Sequence, residues 1–389
     1  MRYWLLCILT CLCINVFAAD EENAYDAFKG KLEDKGIALE LGLINEYIHN
    51  YDGGLRTGDM PLWNLDITLE MDTEKLGLWS NGRFFIYGLF NFHNDKLPTE
   101  YVGDIQATSN IEAPETGKIY ELWYEHFLLD NHLSLLFGLH DYNSEFSALE
   151  TAGLFTNSSF GISPDISQIG PSIFPSTALA LRLSYQRDET YLLMAAYDGV
   201  PGDPDNPNRT QIIIDSDDGI FYSAEIGRKR ELSDDQDGYK YGIGFWHHTE
   251  YADFDGDDSD NSGIYAIAEY ITNLNSGHQL GVFLQLGAAR ESLNPISQYI
   301  GTGFSLGGLF HDNDSLGLAV AHAIISDDFK DTVDGMGLDD AETAIELTYR
   351  IELNDHLALQ PGIQHVINPS SAADIKDATQ FYIRAELSF

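Results

Sequence analysis

Cysteine is almost missing from this 389-residue chain: Cys7, Cys11 and Cys13 are the only three, all at the extreme N-terminus. A disulfide-stapled secreted scaffold is therefore excluded, and the rest of the chain offers no thiol nucleophile. Basic residues are also scarce, 21 Lys and Arg against 62 Asp and Glu, for a net charge of −41. Such a surface repels phosphate, which rules out a nucleic-acid partner. No apolar run after the first residues is long enough for a membrane-spanning helix. Aromatic residues, by contrast, are plentiful, with 21 Phe, 21 Tyr and 5 Trp spread along the chain, so intrinsic disorder is excluded too.

The one long apolar run opens the sequence. Met1 and Arg2 precede Tyr3 to Phe17, and Ala18-Ala19 lead into Asp20-Glu21-Glu22. A basic start, an apolar stretch and a small-residue cleavage site read as a secretory signal peptide over residues 1–19. Residues 20–35 form a short N-terminal segment, periplasmic or lumenal, with a helix expected over 22–34.

From residue 36 to 389 the pattern changes to apolar alternation with a period of two, the signature of strands with two unlike faces. The expected strands are 36–47, 62–73, 78–90, 118–128, 131–140, 175–186, 190–197, 219–229, 239–250, 262–272, 278–289, 299–310, 314–324, 340–352, 355–366 and 377–389. There are sixteen, an even number. Connections after even-numbered strands are mostly short, such as Arg187-Asp188-Glu189 and His311-Asp312-Asn313. Those after odd-numbered strands are mostly long, including 91–117, 141–174 and 198–218. Strands of about ten residues with short turns at one end and long loops at the other describe an all-β fold: a transmembrane, sixteen-stranded, antiparallel up-and-down β-barrel. Closure leaves no backbone group unpaired in lipid. The last strand sets Phe381, Ile383, Ala385, Leu387 and Phe389 on one face and Tyr382, Arg384, Glu386 and Ser388 on the other. Charges in mid-strand suit a wet lumen.

The odd-numbered loops carry much of the acid. Asp253, Asp255 and Asp257 crowd one of them, but Gly256 is misplaced and no Glu closes the run as an EF-hand requires. At most this loop holds surface calcium weakly; no metal or other cofactor is expected. The loop 141–174 is unlike the others in being rich in apolar residues, with a glycine-rich return. A short helix near 145–152 and an inward fold that narrows the pore are expected, as the third extracellular loop.

The stretches Leu136-Phe137-Gly138-Leu139-His140-Asp141-Tyr142-Asn143-Ser144-Glu145-Phe146, Glu150-Thr151-Ala152-Gly153-Leu154-Phe155 and Asn157-Ser158-Ser159-Phe160-Gly161 carry a resemblance to the carbohydrate-selective, OprB-type porins of Gram-negative outer membranes. It continues in Pro171-Ser172-Ile173-Phe174-Pro175. It implies a barrel over 36–389 whose inward third loop, 141–174, forms a sugar-admitting constriction. It also implies residence in the outer membrane among lipid and lipopolysaccharide, insertion by the barrel assembly machinery, and a homotrimer or a monomer.

A sugar presents hydroxyls around an apolar ring face, so a selective pore needs charged and amide groups for the one and aromatic surface for the other. Strand parity places Arg83, Phe85 and Tyr87 together, and likewise Glu121, Trp123 and Glu125. With Asn143, Glu145, Asn157, Phe160 and Arg182, these are the candidate constriction residues. Arg350, Arg384, His140 and His365 are further pore-facing candidates. The function expected is passive diffusion of carbohydrates, monosaccharides such as glucose and small oligosaccharides. A general or cation-preferring porin for small hydrophilic solutes is the open alternative. No Gly-x-Ser-x-Gly or defensible triad spacing points to an enzyme.

Overall fold

The computed structural model describes residues 24–203, 206–233, 235–252, 258–274, 277–333 and 337–389. The leader 1–19 and the acidic Asp253, Asp255 and Asp257 lie outside the described residues. A helix, α1 (Ala24–Glu33), precedes the sheet.

The first eight strands are β1 (Ile37–Gly54), β2 (Gly58–Asp72), β3 (Gly82–His93), β4 (Thr116–Leu128), β5 (Leu133–His140), β6 (Ala178–Arg187), β7 (Thr190–Asp198) and β8 (Ile220–Arg230). The second eight are β9 (Gly238–Ala252), β10 (Asp258–Asn273), β11 (Gln279–Ala289), β12 (Ile296–Gly307), β13 (Asp314–Ile325), β14 (Ala341–Asn354), β15 (Leu357–Ile367) and β16 (Lys376–Ser388). Each pairs antiparallel with its sequence neighbours, and β16 pairs with β1 to close the barrel. Every strand expected from alternation is therefore present, in order. The lengths differ most at β1, which runs to Gly54, so only residues 55–57 separate it from β2. Its last residues fall beyond the expected span 36–47, yet Asn50 and Asp52 pair with Gln380 and Thr379. The β2–β3 link, 73–81, is longer than the tight turn expected there.

Alternation becomes two faces. Leu181, Ile226, Ile243 and Ile264 are more than half exposed, whereas Arg182, Glu225 and Tyr265 on the other face are buried. Strand periodicity forces this division, because successive side chains leave opposite sides of the pleat. Arg384 of β16 and Glu46 of β1 meet on the buried face across the closing seam, 2.5 Å apart. His365 belongs to the other face, where its Nδ1 is 2.9 Å from Thr379 Oγ1. Parity thus corrects its assignment as a pore-facing residue: Gln364 and Val366 take the buried positions on either side.

The β5–β6 segment carries its own apolar core. Phe146, Phe155, Phe160 and Ile166 are buried together with Phe221, Trp246 and Phe283 from the strands. The helix expected near 145–152 is absent. Ser147 has a φ of 57°, outside the right-handed helical region, and short 3₁₀ turns occupy Tyr142–Ser144 and Thr151–Leu154 instead. Strand carboxylates also compete for the amides: Glu225 accepts from Ser147 N at 2.8 Å and Glu269 from Thr151 N at 2.9 Å. Two short helices follow, α2 (Ser158–Gly161), capped by the Asn157 side chain, and α3 (Pro164–Ser167).

The strands facing this segment are cut back to receive it. A Cβ on Gly317 would stand 2.7 Å from Leu154 Cδ2 and 2.8 Å from Phe155 Cζ, and one on Gly287 would stand 2.1 Å from Asp165 Oδ1. Alanines at 319, 321, 323 and 344 continue the shallow track across β13 and β14.

Candidate functional site

The charged residues read from parity in β3, β4 and β6 meet at one wall. Register places Arg83 opposite Glu125, Phe85 opposite Trp123 and Tyr87 opposite Glu121. Beyond Glu121, Tyr120 is the extra residue of a β-bulge, so both side chains turn to the buried face. Arg83 reaches Glu125 at 2.5 Å and Glu70 at 3.2 Å. Glu125 binds Arg182 at 2.8 Å through its other oxygen. Arg182 also donates to Ser134 Oγ at 2.6 Å, and its Nε stands 2.7 Å from Glu145 Oε2 in an ion pair without hydrogen-bond alignment. A chain of alternating charge thus joins β2, β3, β4, β6 and the β5–β6 segment.

Beside it lies an aromatic surface. The Phe85 and Trp123 rings stack with centroids 4.8 Å apart and planes 22° apart. Arg83 sits over the Trp123 ring at 5.3 Å. Trp123 Nε1 donates to Glu121 Oε2 at 3.0 Å, and the same oxygen accepts from Asp141 N at 3.1 Å, which fixes the indole orientation. Tyr87 packs edge-on against Tyr120, whose hydroxyl donates to Asp141 at 2.7 Å.

The structure therefore gathers Arg83, Phe85, Tyr87, Glu121, Trp123, Glu125, Glu145 and Arg182. Asn143, Asn157 and Phe160 stand elsewhere, inside the β5–β6 segment. Asn143 Nδ2 donates to Gly161 O at 3.0 Å; Asn157 caps a helix and donates to Gln364; Phe160 is fully buried against Phe155 and Phe283. His140 is buried beside Tyr197, with Nδ1 2.9 Å from its hydroxyl. Arg384 is held by Glu46 and Arg350 by Glu386 and Glu352, each away from the stacked pair. Glu70 was missed by sequence reasoning, although alternation along β2 puts it directly across from Phe85.

The loops bury several carboxyls, and burial pushes all of them upward: Asp104 and Asp141 to about 6, Asp165 to about 7, Glu112 to about 8. Neither Asp165 oxygen has a hydrogen-bond partner among the described residues. An acid whose folded value is raised binds extra protons in the native state, so its ionisation weakens the fold as pH rises through that window. Stability is expected to fall between about pH 4 and 7 on account of Asp165. Thermal unfolding followed at pH 4.5 and 7.5 checks this: Asp165→Asn should lose less stability across that interval than the unsubstituted protein.

A closed sixteen-stranded antiparallel barrel with a charged and aromatic buried face belongs to the class of porin-type diffusion barrels. The particular family follows from comparison. Residues 56–389 match the family described as carbohydrate-selective porin, OprB family, and the chain belongs to it. Porin B of Pseudomonas aeruginosa is 22% identical over 406 aligned positions, covering 92% of this chain and 89% of that one. Among solved structures, the high-pH form of Pseudomonas putida OprB superposes with a TM-score of 0.81 at 18% identity, covering 94% of this chain and 97% of that one. Its low-pH form gives 0.60 at 16% identity over 95% and 97%. The protein is a porin for carbohydrate-selective diffusion.

Proposed function

We propose that the barrel spans the outer membrane of a Gram-negative bacterium and that the β5–β6 segment folds inside it. Sugar then passes between that segment and the wall built by β2, β3, β4 and β6. Exposed Leu181, Ile226, Ile243 and Ile264 supply the lipid-facing band. The backbone amides of Ser147, Thr151, Thr156 and Asn157 bind carboxylates on β8, β10 and β14, which supports a segment laid across the lumen. Monosaccharides such as glucose, and small oligosaccharides, are the cargo this reading favours.

The observation that carries the reading is the Phe85–Trp123 stack beside the Arg83–Glu125–Arg182–Glu145 chain. A pyranose ring laid against the indole exposes its hydroxyls to Arg83, Glu70 and Glu145, whose side chains keep 34%, 44% and 27% exposure. Affinity must stay weak so that release keeps pace with entry. Diffusion is passive, driven by the gradient alone. In the same passage Glu70, Glu125 and Glu145 outnumber Arg83 and Arg182, so cations are favoured over anions of similar size. The general, cation-preferring reading rests on this imbalance.

Planar-bilayer conductance titrated with neutral mono- and disaccharides, then repeated under a salt gradient, tests both. Saturable block by sugar is the expected result. Trp123→Ala should raise the half-blocking concentration by roughly two- to tenfold, as loss of about 1 kcal/mol of aromatic contact implies. Conductance indifferent to sugar, with strong cation selectivity, would leave only the general porin.

A further inference from the structure

Among the buried carboxylates, Glu342 and Glu346 of β14 differ from Glu125 and Glu46 in having no cationic partner among the described residues. Backbone amides take that place. Glu346 Oε1 accepts from Thr156 N at 2.9 Å and Oε2 from Asn157 N at 3.0 Å, so each oxygen holds one amide of the β5–β6 segment. Glu342 accepts from Ile105 N at 2.9 Å, Gln106 N at 3.0 Å and Ser370 N at 2.7 Å. Ile105 and Gln106 belong to a different segment, the one joining β3 to β4. Four residues apart on one strand, the two carboxylates share the buried face and between them hold the β3–β4 and β5–β6 segments, Glu342 binding the β15–β16 link as well through Ser370.

Those loops are also tied to each other. Asn110 N donates to Thr156 O at 2.7 Å and Ser158 N to Ala107 O at 3.0 Å. Gln364 of β15 donates to both, through Thr108 O and Thr156 Oγ1, each at 2.8 Å. The β3–β4 and β5–β6 segments form one body, and β14 is the strand whose carboxylates reach both of them, whereas Glu225 of β8 and Glu269 of β10 hold the β5–β6 segment alone.

We propose that Glu342 and Glu346 are positioning residues for permeation: a two-point clamp on β14 that holds both loops as one body and thereby sets the width of the aperture. This rests on the reading that the segments lie inside the barrel. A carboxylate is required because both of its oxygens accept. In Glu346→Gln the amide keeps one accepting oxygen and turns its NH₂ toward the second backbone N–H, which is left without an acceptor. Losing a hydrogen bond to a charged group shifts a docked-to-undocked ratio by roughly tenfold.

The test compares the purified barrel with Glu346→Gln, Glu342→Gln and Glu346→Asp in two assays. One is open-channel current noise in planar bilayers. The other is liposome uptake of a graded series from maltose to maltohexaose. Folding is checked separately by circular dichroism and by resistance to trypsin. Both Gln variants should fold, show added open-channel noise, and admit the first excluded member of the series roughly tenfold faster. Glu346→Asp keeps the charge with a shorter reach and should fall between them and the unsubstituted barrel. Folded variants with lower thermal stability but unchanged noise and cut-off would overturn the clamp and leave the pair a merely structural role. Should one Gln variant fail to fold, the other and Glu346→Asp still decide. Sugar block of the unsubstituted protein is read separately, so its absence would count against sugar selectivity while the cut-off still reports on the clamp.

Discussion

Replacing Arg182 with methionine is expected to remove sugar block and to lower stability more than any other change at the site. Arg182 is 2% exposed and lies between Glu125 and Glu145, with Ser134 as a third partner. Among the described residues, taking away the cation leaves Glu125 dependent on Arg83 and Glu145 with no cation in contact. Breaking a buried ion pair from one side costs about 3–5 kcal/mol, because the remaining charge keeps its desolvation penalty. Lysine should rescue only in part, since a point charge cannot reproduce the planar fork that serves three partners. A double-mutant cycle with Glu145→Gln separates the effects: the paired loss should cost less than the sum of the two single losses. Unfolding by urea and conductance titrated with sugar measure the two consequences independently. A methionine variant as stable and as readily blocked as the parent would remove Arg182 from the argument.

The second large effect is expected opposite that wall. Valine at Gly317 and at Gly287 places branched carbon where Leu154, Phe155 and the Asp165 carboxylate now lie. Overpacking a filled site costs about 1–3 kcal/mol at each position. A change of that size alters the docking equilibrium of the β5–β6 segment by roughly 5- to 150-fold. The barrel itself, held by its strand ladder, should persist, so the expected phenotype is a wide, noisy channel rather than an unfolded chain. Single-channel recording and uptake of larger oligosaccharides check it; unchanged conductance would mean that the segment finds another seat.

How much of this was legible in sequence depends on what carries the signal. Strand order was legible because side-chain alternation and closure both act on the same apolar residues, as in Phe381 and Ile383 against Tyr382 and Arg384. The Arg83, Trp123 and Glu125 grouping followed from the same parity. His365 was misplaced because it was assigned by its surroundings in the sequence, whereas its odd position puts it with Phe381. The upper part of β1 was hidden for a different reason: Asn50 to Gly54 is polar and glycine-bearing, and its pairing is interrupted by register shifts. The β3–β4 segment gave no period at all. Its attachment runs through the amides of Ile105 and Gln106, and a backbone N–H is the same in every residue but proline. No side-chain pattern announces that Glu342 binds there.

The closing seam has one more consequence, for the order of events in folding. Glu46 and Arg384 are 338 positions apart, yet they pair at 2.5 Å with both side chains almost wholly buried. Contacts of such separation carry a large loop-closure entropy and form late. Until they form, β1 and β16 are bare edges able to recruit strands from other chains. A sheet that slips by two residues keeps its apolar faces but strands both charges. The pair therefore acts as a proofreading key, favouring the one closure in which the first strand meets the last in register.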